Sequence, residues 1–199
     1  MMLWDFFTEW DHRIFFFING NHTACLDQIM WWLSNRNTWI PLYALMLFQL
    51  YRRHSLRPFM WSLLFLCIML LMTDTLVSYG IKPAVMRLRP SHVPEWREMV
   101  HLVLDPNGQP YRGGMYGFFS SHASNHAGLV IFFMMIMRPL KSWVIWAFAI
   151  WLFLIGYSRI YLGVHYPADI LVGLIWGAGV GAILGRVYQV WILRQIKIV

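Results

Sequence analysis

From Phe59 to Ile81 the chain carries a single charged side chain, Asp74, in an otherwise apolar run. About 20 apolar residues is the length at which a helix crosses a bilayer. Further runs of this kind lie at about 121–137, 142–162 and 169–193. In hydrocarbon each backbone N–H and C=O must find its partner inside the segment, which leaves helices as the way to build such solid apolar runs. Only 13% of the residues are charged, against about a quarter in an ordinary soluble domain. The expected fold is therefore all-α, an integral membrane bundle of about six helices. One domain is expected over residues 1–199, with its core at 59–190 and a polar, proline- and glycine-containing loop at 83–118.

The first third is harder to divide. Residues 3–18 mix Trp4, Phe6, Phe7, Phe15 and Phe16 with Asp5, Glu9, Asp11 and Arg13. That pattern reads either as an amphipathic helix lying in the interface or as the start of a first span. Residues 23–34 and 38–51 are apolar but short. No basic n-region precedes them, so no cleaved signal is expected. Basic residues set the orientation: Arg52, Arg53 and Arg57, then Arg138 and Lys141, then Arg186, Arg194 and Lys197. With alternating spans these places share one side, the cytoplasmic one by the positive-inside bias. The loop 82–120 and the turn 157–168 then lie outside the cytoplasm. The expected location is a bacterial inner membrane, crossed several times, with the C-terminus cytoplasmic. Gly173, Gly177, Gly181 and Gly185 form a ladder of small residues in the last run. Such ladders let helix backbones touch, and packing within the bundle is the preferred reading over a dimer interface.

Three polar clusters sit at the ends of the apolar runs, and all fall on that outer side. The first is Lys82 and Arg89, each followed by a proline. Near the end of a helix seven residues span about two turns, so both cations would face one pocket. Arginine grips phosphate oxygens with a fork, and lysine supplies a point charge. The second is Ser120, Ser121 and His122 before an apolar helix. Serine caps a helix N-terminus, whose free N–H groups favour a bound phosphate. His122 would stand beside it, placed to protonate a leaving oxygen. The third is Ser158 and Arg159, then His165 and Asp169, with Pro167 between the last two. A carboxylate bonded to one imidazole nitrogen fixes the tautomer and leaves the other nitrogen free to attack.

Taken singly, these clusters also fit snorkelling cations, a capping segment and a structural His–Asp pair. Taken together, Lys-x6-Arg-Pro, Ser-x-His and Ser-Arg-x5-His-x3-Asp make the chain resemble the type 2 phosphatidic acid phosphatase family. That family is similar at its active site to the vanadium haloperoxidases. The first and third motifs match at every defined position. The second departs, because Phe119-Ser120-Ser121-His122 stands where the family has Pro-Ser-Gly-His. The resemblance covers about residues 59–190. It implies a lipid phosphatase in which His165 is the nucleophile and forms a phosphohistidine, with Asp169 orienting it. It implies that His122 protonates the leaving group and later helps to activate water. It implies further that Lys82, Arg89, Arg159, Ser120 and the N–H of Ser121 hold the phosphate. No metal or other cofactor is expected, since the cations supply the positive charge.

The partners expected are the bilayer and a lipid phosphate. Candidate substrates are an isoprenoid diphosphate, phosphatidylglycerol phosphate, phosphatidic acid and lipid A. The net charge of +7 does not point to nucleic acid, because no basic stretch interleaves with stacking aromatics. The sequence is silent on oligomeric state. Cys25 and Cys67 match no metal or redox spacing. Two other classes use the same residues: a metal-dependent hydrolase built on His122, His126, His165 and Asp169, and an anion transporter. Asp74 reads equally as part of an ion path or as support for Lys82. The loop residues Glu95, Arg97, Glu98, His101 and Arg112 are placed to gate or select the head group.

Overall fold

A computed structural model describes the backbone of residues 3–193 and the side chains of residues 7–192. Arg194 and Lys197, and the side chains of Trp4, Asp5 and Phe6, lie outside what it describes. Seven helices make up the described chain: α1 (Leu3–Gly20), α2 (Ala24–Ser34), α3 (Ile40–Arg53), α4 (Leu56–Val85), α5 (Ser121–Ile136), α6 (Ser142–Tyr161) and α7 (Pro167–Tyr188). The bundle is membrane-embedded, with one helix more than the pattern of runs suggests. Among the described residues three helices are long and apolar enough to cross a bilayer: Leu56–Val85, Ser142–Tyr161 and Pro167–Ile192.

Apolar side chains face outward as well as inward. Phe153, Ile175 and Leu171 are each exposed by 60% or more, while Ser120, Ser124, Ser158 and Asp169 are fully buried. This inverts the usual arrangement, as a lipid surround requires. The shorter α5 runs through the centre, and most of its residues are buried.

The glycine ladder explains how α7 meets α5. A Cβ on Gly173 would lie 2.6 Å from the Ser120 carbonyl oxygen, and one on Gly181 would lie 2.5 Å from that of Gly128. At Gly177 the added carbon would run into the Ser124 backbone. The two backbones are in contact along this seam, so the ladder packs within the bundle.

In α1 the face that carries Asp11 turns inward, while Glu9 and Arg13 stay exposed. Phe7, Trp10, Ile14 and Phe17 are exposed, at helical spacing, while Asp11, Phe15 and Asn19 are buried against the rest of the protein. Asn19 donates to the carbonyl oxygens of His101 and Tyr161, at 2.9 and 2.8 Å. At the other end of the bundle, Arg53 reaches the Arg138 carbonyl oxygen at 3.5 Å, bringing two of the basic loops side by side.

The α4 helix widens to i→i+5 winding from Leu71 to Ile81. Wide turns of this kind often mark functional segments. It stops where Met86 adopts a left-handed conformation, φ 53°. The chain beyond is held by a bridge between Leu88 and Tyr116 and by Ser91, whose N–H donates to the Gly163 carbonyl at 3.0 Å.

Candidate active site

All three clusters meet at one end of the bundle. Ser120 caps α5, its hydroxyl accepting from the Ala123 N–H at 3.4 Å. The Ser120 N–H in turn donates to the Asp169 carbonyl oxygen at 3.0 Å, which sets the N-termini of α5 and α7 side by side. Both helix dipoles present their positive ends there. The Ser121 hydroxyl lies 3.2 Å from that of Ser78, which fixes the register of α4 against α5.

His165 and Asp169 do not share a helical face. His165 precedes α7, which begins at Pro167, and Asp169 lies in its first turn. The side chains still meet, Nδ1 of His165 standing 3.3 Å from Oδ2 of Asp169. That same oxygen accepts from the Tyr166 N–H at 3.1 Å, so the helix start itself aims the carboxylate. His165 is 1% exposed and Asp169 0%. Burial, with Arg89, Arg159 and Lys82 close by, holds the imidazole well below the usual histidine range. A ring held there is neutral at pH 7.

The cations reach the site by different routes. Lys82 lies in the last turn of α4, but Arg89 does not continue that helix; it sits in extended chain beyond Met86. Two helical turns do not separate them. Gly113, at φ 65°, and Gly117 give Arg89 its room, since a Cβ on Gly117 would lie 3.2 Å from both Arg89 Cγ and Asp169 Oδ2. Nε of Arg89 donates to the Tyr116 carbonyl at 3.1 Å. Burial, then the charge of Arg159, lowers its pKa to about 10. Arg159 belongs to the last turn of α6 rather than to the connecting turn. It donates to the hydroxyls of Ser34 and, at 3.2 Å, Tyr111. Burial pushes the Tyr111 phenol up, but the charge and hydrogen bond of Arg159 outweigh this and bring it below its usual value. Nε of Arg159 is buried without a partner among the described residues.

Lys82, Arg89 and Arg159 are buried, and among the described residues none of them pairs with a carboxylate. Three desolvated positive charges without an ion-pair partner make a site suited to an anion. The His122 ring faces a neighbouring cavity and has no hydrogen bond among the described residues.

Two residues escape the motifs. Arg87 donates to Oδ1 of Asp169 at 2.8 Å and to Asp11 of α1 at 2.5 Å, and its guanidinium lies 4.0 Å above the Tyr166 ring. The other oxygen of Asp11 accepts from the Ala168 N–H at 2.7 Å, capping α7. Burial of Asp11 inside an otherwise amphipathic α1 is the feature that marks it, and it is invisible without the fold.

Other sequence candidates have structural partners. His126 uses one ring nitrogen on the His122 carbonyl, at 2.7 Å, and the other on the Tyr43 hydroxyl, at 2.9 Å, which turns it away from a metal-ligand role. His101 pairs with Asp27 at 2.9 Å, and Arg112 donates to the Ser91 carbonyl at 2.7 Å. Both brace the loop.

The family model described as PAP2 superfamily matches residues 59–193. A protein named lipid A 4'-phosphatase from Bacteroides thetaiotaomicron is 34% identical over 173 residues, covering 87% of this chain and 74% of that one. One of the same name from Porphyromonas gingivalis is 32% identical over 185 residues, covering 92% and 75%. Among solved structures, Aquifex aeolicus LpxE aligns with a TM-score of 0.62 at 23% identity, over 90% of this chain and 94% of the other. The transmembrane PAP2 type phosphatidylglycerolphosphate phosphatase from Bacillus subtilis aligns with a TM-score of 0.65 at 22% identity, over 93% and 87%. At these identities the two structures speak for the fold.

Proposed function

The chain belongs to the PAP2 superfamily and is a membrane lipid phosphatase, and from that premise we propose that it removes a phosphate from a lipid A-type glycolipid through a phosphohistidine on His165. One observation carries the reading: three buried cations, none in an ion pair among the described residues, stand close to His165, whose Nδ1 lies 3.3 Å from Asp169.

In this mechanism Nε2 of His165 attacks phosphorus while the bond to the lipid oxygen breaks. Asp169 keeps the proton on Nδ1 and stabilises the positive charge the ring acquires. Lys82, Arg89 and Arg159 take up the charge on the phosphoryl oxygens. The Ser121 N–H, a first-turn donor without a helical acceptor, adds to them. The Ser120 N–H is spent on Asp169, so its contribution is confined to the hydroxyl. His122 gives its proton to the departing lipid oxygen, which leaves as an alcohol. Bound phosphate beside His122 favours its protonated form before transfer. His122 then takes a proton from water as the water attacks phosphorus, and phosphate leaves with His165 restored.

The whole chain acts as one membrane-embedded unit in this reading. Its site faces away from the cytoplasm, with Arg52, Arg53, Arg57, Arg138 and Lys141 on the cytoplasmic side. The glycolipid substrate is drawn from the two relatives named lipid A 4'-phosphatase.

The test is phosphate release by purified protein in detergent from lipid A, an isoprenoid diphosphate, phosphatidylglycerol phosphate and phosphatidic acid. We expect the highest kcat/KM on lipid A, activity that survives chelators, and inhibition by vanadate. Faster release from any of the other three would displace the glycolipid assignment.

A further inference from the structure

A cavity of about 640 Å³ opens beneath the catalytic residues, between α3, α4 and α5. Its depth can be graded from the register of α4 on α5, which run antiparallel. The pair Ser78 and Ser121 lies level with the catalytic layer. One turn further from it stand Asp74 and Asn125, and one turn beyond those stand Leu70 and Leu129, where the walls become apolar. The cavity therefore has a phosphate end, a polar step and an apolar depth.

The polar step holds two acceptors without a partner among the described residues. Asp74 makes no hydrogen bond or ion pair among the described residues, and Oδ1 of Asn125 is buried without a partner. Both present acceptor oxygens to a space also lined by Arg36, Tyr43, Thr75, His122 and His126 and by apolar side chains such as Met46, Leu50, Met69 and Phe132. An unpaired carboxylate within a span is costly unless something supplies it with donors. Phosphate cannot, and the ester carbonyls of a diacylglycerol are acceptors too. An isoprenoid tail offers nothing. A sugar bearing free hydroxyls and amide N–H groups offers donors at the depth where Asp74 and Asn125 stand.

We propose that Asp74 and Asn125 form a saccharide-reading step below the phosphate site, selecting lipids whose phosphate is carried on a hydroxylated, amide-bearing sugar. This rests on the phosphatase reading above and deepens it by assigning the head-group contacts. The competing role for Asp74, support of Lys82, acts on every substrate alike. The step described here acts only on substrates with donors beside the phosphate.

The two are separated by comparing kcat/KM on a phosphorylated N-acylglucosamine lipid with that on phosphatidic acid of matched chain length. The proteins are wild type, Asp74→Asn and Asn125→Leu, purified in detergent. Wild type should prefer the sugar lipid, and each variant should lower that preference by about tenfold, the loss expected for one hydrogen bond to a strong acceptor. Asp74→Asn is isosteric and carries the test alone where Asn125→Leu does not fold. An equal fall on both substrates overturns the proposal in favour of support for Lys82. Equal release from both lipids by wild type overturns it while leaving the phosphatase reading intact. Release from neither removes both.

Discussion

Asp11 holds Arg87 at 2.5 Å, and through it a helix from the N-terminal third governs the charge felt by Asp169. Without Asp11 the guanidinium bears on Asp169 alone and weakens its hold on the His165 Nδ1 proton. In Asp11→Asn the amide oxygen still accepts from the Ala168 N–H, so the change falls on the charge opposite Arg87. We expect Asp11→Asn to lower kcat about tenfold with little change in KM, and to cost about 1–3 kcal/mol of stability. Steady-state kinetics and thermal melts in detergent check this, with Asp11→Glu recovering part of the loss.

His165→Ala should abolish turnover, and Asp169→Asn should reduce kcat on the order of a thousandfold by releasing the tautomer. Rapid quenching of wild type with substrate, followed by peptide mass spectrometry under alkaline conditions, should find a phosphoryl group on His165. The alanine variant should show none while eluting as folded protein.

The lowered pKa of His165 shifts the acidic limb of the kcat/KM profile set by its protonation. The limb should fall below the ordinary histidine value of about 6.5. The same shift bears on stability. The unfolded chain binds a proton near pH 6.5 that the folded chain refuses, so this stabilisation is complete above that pH and declines as pH falls below it. Melting temperature against pH, compared between wild type and His165→Asn, measures the difference.

Gly177→Val should drive α7 away from α5, because the ladder leaves no space at the Ser124 backbone. Overpacking at a helix seam costs about 1–3 kcal/mol or more. Size-exclusion profiles and melts should show a less stable, less homogeneous protein. Gly179, where an added carbon meets nothing within 4 Å, should accept alanine without loss.

Cys25 is exposed in the first turn of α2, two residues after Thr23, whose N–H donates to the Tyr161 hydroxyl at 3.3 Å. It therefore lies at the end of the bundle that holds the site. In a Cys67→Ala background, a membrane-impermeant maleimide added to intact spheroplasts should label Cys25. Labelling only after lysis would reverse the proposed orientation.

The sequence carries the chemistry of this site more fully than its construction. Lys82, Arg89, Ser120, Arg159, His165 and Asp169 were each readable because a polar group beside an apolar run needs a reason, and their spacing supplied one. The backbone between them was not readable. Met86 breaks α4 before Arg89, and α7 begins after His165, because left-handed turns and helix starts depend on contacts made across the fold. Asp11 was hidden for a different cause. In sequence it lies among the other charges of an amphipathic segment, and only its burial against Arg87 and Ala168 separates it from Glu9, which pairs with Arg13 on the surface. Ser34 and Tyr111 were likewise silent, since ordinary polar residues gain a role only when Arg159 lies beside them.

The seam of glycines between α5 and α7 works as a caliper. One jaw carries His122 and the other Asp169, with His165 just ahead of it, and backbone rather than side-chain contact sets the gap. Because the gauge does not depend on the walls of the cavity, those walls can be recut for a different lipid while His122 and His165 keep their separation.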